Sequence, residues 1–161
     1  MPTPGQVRQL PELARVRVPG EWEDLNGHVN VKHHLGMYDL TNAPLLELLG
    51  ISEQWVRTER IGLVDLEHHI WYQNEVHVGE EVGLFLRFTA SNAKRAQGLV
   101  LLLNLTHERL ASVIEFVSAA VRLDARRAVP LPEVVARRIE AFVAQHDALD
   151  WPAPRCGAIT I

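Results

Sequence analysis

The sequence predicts an α+β fold in which a curved antiparallel sheet wraps around one long helix. Three observations point there. Between Asn30 and Gly50 the chain carries Val31, Leu35, Tyr38, Leu45, Leu46, Leu48 and Leu49 with few charges, the pattern of a largely buried helix that ends at a glycine. From Ile61 onward the pattern changes to four long extended runs, 63–73, 76–89, 94–106 and 109–124, separated by turn-prone segments. Gly83 and Gly98 fall inside those runs, where they permit the bulges or curvature that a wrapping sheet needs. One helix followed by four strands in series excludes a bundle, a doubly wound sheet and a closed up-and-down barrel.

Taken in order, residues 1–13 form a proline-interrupted arm, 14–130 the folded domain, and 131–161 a C-terminal helix and tail. Ala14–Val18 alternates apolar and basic residues with period two, as a half-buried strand does, and stops at Pro19-Gly20. A polar loop, EWEDLNGHVN, precedes the long helix, with Asn30 at the N-cap position. Pro44 removes a backbone donor, so the helix is expected to kink or break near Asn42-Ala43. Ser52–Arg60 suits a short helix. The four strands, joined by short turns, predict a simple meander. Val134, Val135, Ile139 and Phe142 give 133–146 one apolar face, and Trp151 offers an anchor for the irregular tail.

Composition narrows the function. The chain has 161 residues, enough for one domain with a sizeable core, and 16 basic against 20 acidic residues give a net charge of −4. That balance offers no basic field for nucleic acid. No apolar run approaches the length of a membrane span or a secretory signal, and the single Cys156 has no disulfide partner, which together predict a reducing, cytoplasmic setting. Eight histidines show no metal-ligand spacing, and His68 and His69, adjacent in a strand, point to opposite faces, so no metal is expected.

The chemistry concentrates in EWEDLNGHVN. Asn26-Gly27 is a hairpin-turn signal. Strand alternation does not resume after it, however, and a helix starts instead, which places Asp24 just before a helix N-terminus with its free N–H groups. Such donors hold a developing oxyanion while a carboxylate attacks a carbonyl or activates water. Simple capping electrostatics are the commoner reason for an acid at a helix start. The run W-E-D-L-N-G-H-V-N, with Tyr38-Asp39 further on, resembles the hotdog-fold acyl-CoA thioesterases of the 4-hydroxybenzoyl-CoA thioesterase type, in the branch associated with carnitine and betaine catabolism. The similarity runs from about Val18 to Pro132; EHHIWYQNEVHVGEEV is similar to the family's second-strand region and NAKRAQ to a basic edge that meets coenzyme A.

The resemblance implies hydrolysis of a short or medium acyl-CoA without a cofactor, by a homodimer or dimer-based oligomer with active sites at its interface. Asp24 takes the position of the general base or nucleophile, and the N–H near Val31 that of the thioester-polarising donor. His28 and Asn30 complete the candidate catalytic set, and Lys94 and Arg95 are candidates for the coenzyme A phosphates. His33, His34 and Pro44 depart from the family pattern. Glu67 is either a second carboxylate facing the site or an exposed edge charge, and Glu115 either joins a buried network or faces outward. Trp22, Trp55, Trp71 and Tyr72 are either core packing or a cage for a quaternary ammonium acyl group. A non-catalytic acyl-CoA binding protein is the alternative from another class; a hotdog dehydratase is disfavoured because its histidine and Gly-Val signatures are missing.

Overall fold

The computed structural model describes residues 1–161. Helix α1 (Pro4–Val7) precedes strand β1 (Glu12–Arg17); α2 (Lys32–Asp39), α3 (Asn42–Leu48) and α4 (Glu53–Glu59) follow. Strands β2 (Ile61–Tyr72), β3 (Glu81–Ser91), β4 (Arg95–Asn104) and β5 (Arg109–Arg122), the short β6 (Arg127–Ala128) and helix α5 (Glu133–Asp147) complete the chain. The sheet is antiparallel, in the order β1-β3-β4-β5-β2, with β6 beside β5.

The expected α+β architecture is present, with three corrections. The meander covers only β3, β4 and β5, because β2 pairs with β5 and not with its sequence neighbour β3. Residues 76–80, read as the start of a strand, belong instead to the segment that crosses from β2 to β3; there the Val76 carbonyl accepts the Val29 N–H at 2.8 Å. The long helix is two helices. Of the kink or break expected near Asn42-Ala43 the chain takes the break: Pro44 lies in the first turn of α3, where a missing N–H costs nothing.

Both faces of the sheet are covered. On the concave face Met37 and Tyr38 of α2 and Val135 and Ile139 of α5 pack with Leu84, Leu86, Phe88, Val100, Ile114 and Phe116. Gly98 permits the curl, since a Cβ there would lie 2.7 Å from the Phe116 ring and 2.9 Å from the Arg87 carbonyl. On the convex face Val7, Leu10 and Trp151 close over Phe85, Leu99, Leu101, Leu103 and Val113. The anchor expected at Trp151 is there: the ring sits 4.0 Å from the buried Arg87 guanidinium, and its Nε1 donates to Gln9. Glu115 is fully buried in a network, accepting from Gln97 Nε2 and from the Cys156 N–H.

Candidate active site

The loop before α2 is built as a miniature hairpin. Glu23 bridges Val29, the Gly27 N–H donates to the Asp24 carbonyl at 3.0 Å, and Gly27 takes φ +80°, a conformation that favours glycine. The turn and the helix start, read from sequence as competitors, therefore coexist. Asp24 Oδ1 accepts the Asn26 N–H at 2.8 Å, so the carboxylate is fixed by its own turn. Asn30 caps the helix: its Oδ1 accepts the Lys32 N–H and its carbonyl the His33 N–H. The N–H of Val31, already in helical conformation, donates to no acceptor within the chain.

A cleft of about 390 Å³ opens at this point. His28, Val31, His34, Tyr72 and Glu75 line it. Asp24 does not line it; the carboxylate lies one layer back, its Oδ2 3.7 Å from His28 Nε2, while His28 Nδ1 stands 3.4 Å from Glu75 Oε1. The loop thus sets Asp24 and Glu75 against the His28 imidazole and puts His28 and Val31 on one cleft, while Asn30 is taken up in capping the helix. A donor at a helix N-terminus beside a carboxylate-backed imidazole can polarise a carbonyl and accept a proton from water.

His34 was not among the site residues expected from sequence, although its i+3 spacing from Val31 puts the two on one helix face. Its buried ring pairs with Ser112 Oγ through Nδ1 at 3.0 Å and meets Tyr72 edge-on. Burial pushes its pKa down to about 4, helped by the neighbouring histidines His28 and His33, so it is neutral near pH 7.

Lys94 and Arg95 lie at the other end of the sheet. Both backbone N–H groups are held by Asn92 Oδ1, and Arg95 pairs with Ala119 whereas Tyr72, in the cleft, pairs with Ser112. Seven residues along β5 amount to about 23 Å. Nothing within one chain joins the basic pair to the cleft.

Glu67 does not face the site. A bulge at Leu66 shifts the phase of β2, so that Glu67 pairs beside Val117 on the convex side, exposed, while Asp65 and His68 both turn inward. Asp65 is the inward carboxylate that sequence reading missed. The four aromatics form no cage either: Trp22 stacks on His33, Trp55 packs on the concave cluster, and Trp71 packs on the convex face, opposite to its neighbour Tyr72.

Comparison with known proteins bears on the fold and the family. A family model described as the thioesterase-like superfamily matches residues 18–139. A Rhizobium relative named L-carnitine dehydrogenase/betainyl-CoA thioesterase is 24% identical over 156 residues, which is 92% of this chain and 29% of that protein; the chain spans less than a third of that relative's length. Among solved structures, a Staphylococcus aureus protein in complex with CoA superimposes with a TM-score of 0.78 at 21% identity, covering 89% of this chain and 90% of that one. A Synechocystis 1,4-dihydroxy-2-naphthoyl-CoA thioesterase gives 0.69 at 19% identity, over 86% and 97%. With the family model spanning most of the folded domain, and with these structures sharing its hotdog fold, the chain belongs to the thioesterase-like superfamily.

Proposed function

We propose that the protein hydrolyses a short or medium acyl-CoA to the free acid and CoA, with Asp24 as general base. The observation that carries this reading is the free N–H of Val31 at the start of α2, on one cleft with His28, behind which the Asp24 carboxylate is fixed by its own turn. The thioester carbonyl oxygen accepts that N–H, and the helix dipole adds to the polarisation. Water held near His28 loses a proton toward the Asp24 carboxylate, the hydroxide adds to the carbonyl carbon, and the tetrahedral intermediate expels the CoA thiolate. The same turn that fixes Asp24 shields it behind His28, which favours activation of water over direct attack.

The site also calls for a second protomer. Strand β2 is a free edge, and Val64 and Leu66 on it, with Val31, Leu35 and Leu40 beside α2, are exposed apolar residues. Pairing two β2 strands antiparallel about a two-fold axis continues the sheet and covers those residues. It also reverses direction across the interface, setting the Lys94–Arg95 end of one sheet beside the cleft of its partner. The basic pair then serves the coenzyme A phosphates in trans.

Thiol release over a panel of acyl-CoA esters tests this function. Turnover of at least one ester supports hydrolysis, and tight CoA binding without thiol release supports the binding-protein alternative. The name of the Rhizobium relative argues for including trimethylammonium acyl groups in the panel.

A further inference from the structure

His34 reaches the cleft from the same helix face as Val31, and both residues line it. The helix rises only about 4.5 Å between them, and helical side chains lean toward the N-terminus, so the imidazole projects back over the turn that carries the free Val31 N–H. The ring is held from two sides. Nδ1 stands 3.0 Å from Ser112 Oγ, and Tyr72 meets the ring edge-on with centroids 5.1 Å apart.

The Ser112 contact decides which nitrogen carries the proton. Ser112 is fully buried on β5, and its hydroxyl has no other hydrogen-bond partner in the chain. Were Nδ1 the donor, the hydroxyl proton would be buried with no acceptor, which folded proteins seldom allow. The hydroxyl therefore donates to Nδ1. Burial keeps the ring neutral near pH 7, so its single proton sits on Nε2. Nε2 has no partner in the chain, and, unlike the Nε2 atoms of His33 and His146, it is not sealed away from solvent; it opens onto the cleft that the ring lines.

One backbone N–H and one imidazole N–H thus open onto a single cleft with no acceptor inside the chain. Addition of hydroxide to a thioester moves the carbonyl electron pair onto oxygen, and fixed N–H donors are what that oxygen needs. A neutral imidazole with its proton on Nε2 stabilises such a charge without giving the proton up. We propose that His34 is a catalytic residue whose Nε2–H is the second donor to the thioester oxygen, beside the Val31 N–H, and that Ser112 is the positioning residue that holds the ring in this tautomer. The proposal rests on the thioesterase reading above and extends it to the groups that hold the charge.

His34→Phe fills the same space without a donor, and His34→Gln returns an amide N–H near the place of Nε2. On an ester found by the panel, His34→Phe is expected to lower kcat by about 10²–10³ with KM little changed, and His34→Gln to recover about tenfold of the loss. A folded His34→Phe protein with near-native kcat overturns the proposal, as does a His34→Gln protein no faster than His34→Phe. Nitrogen-15 spectra of the histidine-labelled protein read the tautomer. The signals that His34→Phe removes should be pyrrole-type for Nε2 and pyridine-type for Nδ1, and Ser112→Ala should mix the two forms; a protonated Nδ1 in the wild type overturns the proposal. Two non-hydrolysable butanoyl-CoA analogues separate it from the hydrolytic reading: a ketone with methylene in place of sulfur, and a thioether with methylene in place of the carbonyl. Calorimetric Kd values should favour the ketone about tenfold in the wild type and much less in His34→Phe. That loss sustains the donor even if no ester is hydrolysed and the hydrolytic reading fails. A ketone preference absent from the wild type, or unchanged in His34→Phe, overturns the donor even where Asp24→Asn supports hydrolysis.

Discussion

His34 shows how a residue's surroundings set its contribution. The buried ring is held neutral, with a folded pKa of about 4 against an unfolded value near 6.5. Between those values the unfolded chain binds a proton that the folded chain does not. Its share of stability is therefore full above about pH 6.5 and is lost as pH falls toward 4, up to about 3 kcal/mol in all. His33 and His146 are shifted down in the same way, mainly by burial, and add to the slope. Urea unfolding at pH 7 and pH 5 should show wild-type stability falling, and His34→Asn should be less pH-sensitive by about 1–3 kcal/mol. Equal slopes in the two proteins would remove His34 from the account. At this scale the Asp24–Val31 loop was legible in the sequence, because a turn, a cap and a helix start are local events with local residue signatures. Asp65 was not, because the bulge that turns it inward depends on how β2 registers against β5.

At the scale of elements, the helices and long strands follow from periodicity, and the C-terminal helix at 133–147 packs on the sheet as its apolar stripe requires. The order of the strands does not follow from it. Residues 73–80, of which 76–80 read as the start of a strand, carry the chain across the open end of the sheet, tied down by Gln73 and Asn74 N–H bonds to the Ala111 carbonyl. Which strand a chain rejoins is decided by packing over the helix, and no residue in the connection encodes it. The β3–β4 turn gives a prediction of its own. If Lys94 and Arg95 hold the coenzyme A phosphates, Lys94→Glu with Arg95→Glu should raise KM about tenfold or more with kcat little changed, since that contact is equal in ground and transition states. The penalty should vanish with pantetheine thioesters, which lack the nucleotide. Equal penalties on both substrates would return the pair to an ordinary solvated turn.

At the scale of the whole molecule, the convex face of the sheet is covered by the chain's own arm and tail, through Val7, Leu10 and Trp151. The β2 edge and the outer side of α2 carry a group of apolar residues that stay exposed, Val31, Leu35, Leu40, Val64 and Leu66. No helix is long and apolar enough to cross a membrane. Light scattering at micromolar concentration should give twice the 18.1 kDa chain mass or a multiple of it, and a stable monomer would contradict the shared site. The central claim, that the loop before α2 hydrolyses a thioester, is tested most directly by thiol release from Asp24→Asn beside the wild type, on a substrate found by the panel. The account predicts a folded variant with kcat lower by roughly 10²–10⁴. A folded Asp24→Asn protein with near-native kcat would contradict it.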